Sequence, residues 1–172
     1  MNHLPSSKTI LQLLAGCAFV LAACGPAAET DKSGPEEAAA EVAYDSLLAR
    51  QYGADQYGMK KYVMAFLKAG PNRDLDSAQA VELQRAHLKN IEHMAETGKL
   101  VLAGPFLDEQ EVRGIYIFDV ASLAEAEALT RSDPAIQAGS LEMELREWYG
   151  SAALKAINDL HKKLTKTNVA DE

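Results

Sequence analysis

Between Lys61 and Trp148 the spacing of apolar residues switches repeatedly between strand and helix periods, and that succession limits the possible folds most. Lys61–Ala69 (KYVMAFLKA) is an aromatic and β-branched run stopped by Gly70-Pro71-Asn72, so it reads as a central strand. Asp76, with Gln79 three residues on, has the pattern of a helix start. Ala80, Leu88, Ile91 and Ala95 then recur at helical spacing, with Val81 and Met94 beside them, until Gly98 closes the helix. Leu100–Gly104 is a short strand ended by Gly104-Pro105. After the acidic turn Asp108–Glu111, Val112–Val120 is the third strand. Ser122 and Glu125 begin a second helix, Leu123–Arg131, and Asp133-Pro134 starts a short helical turn that Gly139 ends. In Leu141–Trp148, Leu141, Met143 and Leu145 alternate with Glu142, Glu144 and Arg146, which is the pattern of a half-exposed strand.

The order β-α-β-β-α-β predicts an α+β, ferredoxin-like domain over residues 59–150, an antiparallel sheet with helices on one face. The other face is left to a partner, and a symmetric homodimer, sheet against sheet, covers it most economically. Residues 151–172 are expected to form a C-terminal amphipathic helix and tail. Leu154, Ile157, Leu160 and Leu164 share one side, turned either to the domain or to a partner subunit.

The N-terminus reads as an address. Residues 1–23 hold one charged residue, Lys8, followed by the apolar run Thr9–Ala23. A run of about 15 residues suits a signal-peptide h-region and is short for a permanent membrane span. Leu21-Ala22-Ala23-Cys24 resembles the lipobox of bacterial lipoproteins, which makes Cys24 the expected lipid-attachment residue; Leu14-Ala15-Gly16-Cys17 is a second match with a much shorter h-region. Gly25 following Cys24 implies, by the same resemblance, the outer membrane facing the periplasm. Residues 24–58 are rich in Ala, Glu, Gly, Pro and Ser and read as a flexible tether, within which Glu36–Gln51 has helical composition.

Cys17 and Cys24 are the two cysteines of the 172-residue chain, so the domain beyond them has no thiol for a disulfide, a Cys-type zinc site or nucleophilic catalysis. Net charge is −8, and loss of the first 23 residues takes it to about −9, which disfavours nucleic acid as a partner. No P-loop, dinucleotide fingerprint or Ser-His-Asp order is present.

His87 is the strongest chemical candidate. It lies beside the apolar stripe of the first helix, and imidazole moves protons near neutral pH without a cofactor. A hydrogen-bonded structural histidine satisfies the same pattern. Asp133 suits the role of orienting an imidazole, and equally that of an N-cap before Pro134. His93 is six residues from His87, roughly 240° around a helix, so the two do not share a metal; His161 sits among lysines, and no metal site is expected. Gly104 and Pro105 either bring backbone close to a ligand beside His87 or simply end a strand. Tyr62, Phe66, Tyr116 and Phe118 are candidates for an aromatic-lined pocket, and for plain core or dimer interface.

Arg85-Ala86-His87-Leu88, Gly98-Lys99-Leu100, Ala103-Gly104-Pro105, Ser132-Asp133-Pro134 with Gly139, and Trp148-Tyr149-Gly150 occur in an order that resembles the YciI-like (YCII-related) family of the dimeric α+β barrel group. The resemblance covers about Lys60 to Leu154. It implies a small homodimer, a pocket between sheet and helices, and a catalytic pair matched to His87 and Asp133; Gly104, Pro105 and Tyr62 are the substrate-binding candidates that the residues themselves offer. The implied chemistry is cofactor-free acid/base work on a small organic molecule, of the isomerase, lyase or dehydrohalogenase kind. Export and lipidation would set this chain apart from most relatives. Two other readings stand beside it: a non-catalytic small-molecule-binding or scaffold lipoprotein, and a haem-binding barrel with His87 as axial ligand.

Overall fold

The computed structural model describes residues 43–108 and 110–171. The expected signal sequence, its lipobox cysteines and the first part of the tether lie outside these residues.

The described part begins with helix α1 (Ser46–Tyr52), where the Asp45 side chain accepts from the Leu47 and Leu48 amides and Gly53 closes in the left-handed region. α1 packs against the 3₁₀ turn Ala152–Ala156, and Ala152 N donates to Gly58 O. Residues 43–58 are therefore part of the folded unit, a correction to the expectation that the tether runs to residue 58. The cap and the docking surface together hold a helix too short to persist alone.

Strands β1 (Met59–Ala69), β2 (Leu100–Pro105), β3 (Val112–Phe118) and β4 (Leu141–Ser151) form one antiparallel sheet in the order β2-β3-β1-β4. Between them come α2 (Ser77–Glu96), α3 (Leu123–Arg131) and α4 (Pro134–Gln137). This is the α+β, ferredoxin-like arrangement expected from the pattern. α2 starts with a complete capping box: Asp76 accepts from the Gln79 amide and Gln79 accepts from the Asp76 amide.

Strand alternation sorts the side chains into two layers. Val63, Ala65 and Leu67 of β1 join Met94, Leu100, Tyr116, Phe118 and Ala126 in the core beneath the helices. Burying side chains of the Leu or Phe class stabilises the fold by about 1.5–3 kcal/mol each. Tyr62, Val101 and Ile117 form a second cluster on the opposite face, with Met64, Leu102, Trp148 and Leu154 against it. A register shift between Leu100 and Leu102 turns Val101 and Leu102 both to that second cluster.

The C-terminal segment is the 3₁₀ turn Ala152–Ala156, then α5 (Ile157–Leu164), then a further 3₁₀ turn, Val169–Asp171. A half-buried ion cluster ties its start to the sheet: Asp119 pairs with Lys60 and with Lys155 Nζ at 2.7 Å. Asn158 Nδ2 donates to Leu100 O at 2.8 Å and contacts Ala95 O at 3.4 Å.

Candidate functional site

α2 carries His87 under the sheet, and the turn before α4 brings Asp133 to it. His87 is 7% exposed and Asp133 0%. His87 Nδ1 lies 2.9 Å from both Oδ1 and Oδ2 of Asp133. A carboxylate only accepts, so the proton of a neutral His87 sits on Nδ1 and the lone pair on Nε2. Asp133 Oδ1 also accepts from the Ala135 amide at 2.9 Å, and Pro134 needs no partner for its nitrogen at the first helical position. One carboxylate thus both caps α4 and orients the imidazole.

Tyr116 on β3 completes the arrangement. Its hydroxyl is 3.3 Å from His87 Nε2, and its ring lies nearly parallel to the imidazole, 22° between planes with centroids 6.3 Å apart. Burial pushes the Tyr116 hydroxyl far above the usual tyrosine range, and the charge of Asp133 adds to the shift. A neutral phenol is a donor, so it donates to Nε2. In the sequence Tyr116 is one of several aromatic candidates. Its strand parity, on the helix face with Val63 and Leu67's layer, was the available signal.

The other candidates lie elsewhere. Gly104 pairs with Ile115 and so shares the face opposite Tyr116, where a Cβ at Gly104 would meet nothing within 4 Å. Pro105 pairs with Gly114 at the end of the edge strand β2. Tyr62 is buried in the far cluster, donating to Ser151 O at 3.0 Å; burial first, then Asp119, pushes its hydroxyl up to about 12. The sheet separates Gly104 and Tyr62 from the imidazole. Phe66 also faces away, under Arg146, while Phe118 packs edge-on to Tyr116.

His93 and His161 are exposed. Among the described residues no cluster of three or more His, Cys, Asp and Glu is placed to hold a metal ion. Haem iron would need a free imidazole nitrogen beside open space. With Nδ1 on Asp133, Nε2 on Tyr116 and the ring almost fully buried, His87 does not fit that role.

The YCII-related domain family matches residues 61–149, the stretch that contains all four strands' paired cores and the His87–Asp133 contact. The chain belongs to that family. Among curated relatives, the protein YjpA of Bacillus subtilis (strain 168) is 31% identical over 62 residues, 36% of this chain and 71% of YjpA. Among solved structures, the 5-chloro-2-hydroxyhydroquinone dehydrochlorinase TftG of Burkholderia phenoliruptrix AC1100, in complex with 2,5-dihydroxybenzoquinone, is 20% identical. It aligns with a TM-score of 0.40 over 52% of this chain and 93% of that one. Membership in the YCII-related family gives the domain its place. It leaves the reaction to be argued from the residues.

Proposed function

We propose that this YCII-related protein is a cofactor-independent acid/base catalyst for a small organic molecule, with His87 Nε2 as the proton-accepting atom. One observation carries the reading: both Asp133 carboxylate oxygens face Nδ1 at 2.9 Å inside a buried site. That geometry holds the ring in the tautomer a base needs and stabilises the imidazolium formed on proton uptake. Tyr116 occupies Nε2 in the resting arrangement, so a substrate takes the place of its hydroxyl or gives up its proton through it, the phenol oxygen accepting the substrate's proton as its own passes to Nε2.

The protein is proposed to work in the cell envelope, anchored through Cys24, with two copies pairing through the uncovered sheet face. Met64, Phe66 and Ile115 are only half-buried there, and Phe106 and Leu107 stand exposed just past β2. Mass analysis of the exported protein tests the anchor. An intact, unacylated N-terminus would reject it, and a monomer by light scattering would reject the pairing.

A second reading, a non-catalytic binding or scaffold protein, is favoured by a different observation. Two cavities, of about 380 and 520 Å³, open on the described domain, and neither has His87, Asp133 or Tyr116 in its wall. A screen of small aromatic and lactone substrates with wild type and His87→Ala separates the two. Turnover lost in His87→Ala supports the catalyst, and equal turnover by both proteins retires His87. Ligand binding with no turnover by either protein supports the binding module.

A further inference from the structure

The chain enters the described domain at α1, and there its large apolar side chains are turned outward. Ala49 and Tyr52, one helical turn apart, are the half-buried residues of α1, whereas Tyr44 is 79% and Leu47 71% exposed, with Leu48 exposed beside them. Leu47 is roughly 200° around the helix from Ala49, so α1 docks by its alanine and presents a leucine to the outside.

The same end of the domain carries α5. α1 packs on the 3₁₀ turn Ala152–Ala156, and α5 continues directly from that turn. Ile157 is half-buried, but Leu160 is exposed and Leu164 is 83% exposed. Tyr57 is exposed as well, beside Gly58 O, which accepts from the Ala152 amide. Isolated exposed leucines are ordinary, but large apolar side chains gathered around one turn mark a contact surface. This end lies opposite the β2–β3 hairpin. β1 begins at Met59, paired with Ser151; at its far end Leu67 pairs with Gly114, which pairs in turn with Pro105. At about 3.4 Å per residue, the fully exposed Leu107 beyond Pro105 is on the order of 25 Å from the turn.

Charge at this end is close to balanced. Asp45 and Asp159 stand against Arg50, Lys163 and Lys166, while His161 and Lys162 turn to the side of α5 shared with Glu92 and Glu96. A surface of exposed leucines and tyrosines with little net charge fits the interfacial layer of a bilayer, where leucine enters the acyl boundary and tyrosine sits at headgroup level. Residues 24–42 join Cys24 to this end, a span of at most about 65 Å drawn straight. α1 is thus the described element nearest the anchor along the chain.

We propose that α1 and the outward leucines of α5 form the membrane-facing end of the domain, with Leu47, Leu48, Leu160 and Leu164 in the interfacial layer of a phospholipid bilayer and Tyr44 and Tyr57 at headgroup level. Resting on the anchor at Cys24, this fixes an orientation that a lipid chain alone leaves open. The β2–β3 hairpin, with Phe106 and Leu107, then points away from the lipid. The α5 half of the surface lies beyond the stretch matched by the family, so it belongs to this chain's own extension.

Benzoylphenylalanine in place of Leu47, Leu164 or Leu107, one at a time in the full chain, tests this. Membranes of the cells that make the protein are irradiated, and the protein is analysed by mass. Phospholipid adducts are expected at residues 47 and 164 at least about tenfold more often than at residue 107, and they should persist in about 1 M salt, where ionic adsorption is screened. Leu48→Ser with Leu160→Ser should cut the lipid adducts at residue 164 at least about tenfold and leave the midpoint of urea unfolding in place, since both leucines are exposed. Adducts at residues 47 and 164 to a second copy or to residues 24–42 in place of lipid would overturn the assignment. So would equal lipid adducts at all three residues, their loss in salt, or an unaffected serine variant. The same spectra report the N-terminus and keep anchor and face apart. Acylated Cys24 without lipid adducts at residues 47 and 164 leaves the anchor and removes the face. An unacylated chain with those adducts removes the anchor and leaves the face, and an unacylated chain without them removes both.

Discussion

His87 and Asp133 are 46 residues apart in the chain, and the fold sets the imidazole Nδ1 2.9 Å from each oxygen of a carboxylate with no exposure to solvent. Asp133→Asn keeps an acceptor for the Ala135 amide but offers His87 an amide in place of a charge. The variant should lose on the order of 1–3 kcal/mol of stability. Any turnover dependent on His87 should fall by about 10²–10⁴-fold, as expected when an imidazole loses its orienting carboxylate. Urea unfolding and initial-rate assays measure the two effects. A variant as stable and active as wild type would show that the contact is incidental.

The tautomer of His87 is directly observable. Nitrogen NMR of the neutral ring should report a proton on Nδ1 and a bare Nε2, because Asp133 can only accept. Tyr116→Phe removes the phenol that donates to Nε2 and should cost about 1 kcal/mol without changing the tautomer. A proton found on Nε2 of the wild type would contradict the arrangement.

Acid should weaken the attachment of the C-terminal segment. Burial raises the Asp119 carboxyl, but hydrogen bonds from Lys155 and Lys60 more than offset that and hold it below the usual range. The folded value lies under the unfolded one, so the stabilisation is full above about pH 4 and fades as pH falls through the folded value. Asp119→Asn should therefore lower stability at pH 7 by on the order of 2 kcal/mol and flatten the acid limb of the stability profile. An unchanged limb in the variant would assign it to other carboxylates.

Gly70 is predicted to tolerate no side chain. A Cβ there would lie 2.3 Å from Gly139 O, and the two segments are pinned by Gly70 N donating to Ser140 O and Asn72 N to Gly139 O, each at 2.9 Å. Backbone cannot rotate away as a side chain can, so Gly70→Ala should cost on the order of 2 kcal/mol. Thermal unfolding of Gly70→Ala beside Gly104→Ala, where the added carbon meets nothing within 4 Å, separates crowding from a general glycine effect.

Local physics made most of the elements legible. Asp76 with Gln79, Ser122 before Leu123–Arg131, and Asp133 before Pro134 each cap the helix they were expected to cap. Those interactions span two or three residues and need no distant partner. The alternation in β4 likewise turns Leu141, Met143 and Leu145 to the core beneath the helices. The caps and periods said nothing of parity between strands. Pairing of β2 with β3 and of β1 with β4 decides that parity, and it turns Gly104 and Tyr62 to the face away from His87.

The amino-acid order by itself determined the element succession, the helix starts and the family, because capping, turn chemistry and hydrophobic period are short-range properties of the chain. Three outcomes were decided only in three dimensions: the meeting of His87, Asp133 and Tyr116, the outward leucines of α5, and the docking of residues 43–58. Each depends on side chains contributed by segments far apart in sequence, whose relative placement follows from sheet register and layer packing, and no local pattern encodes those.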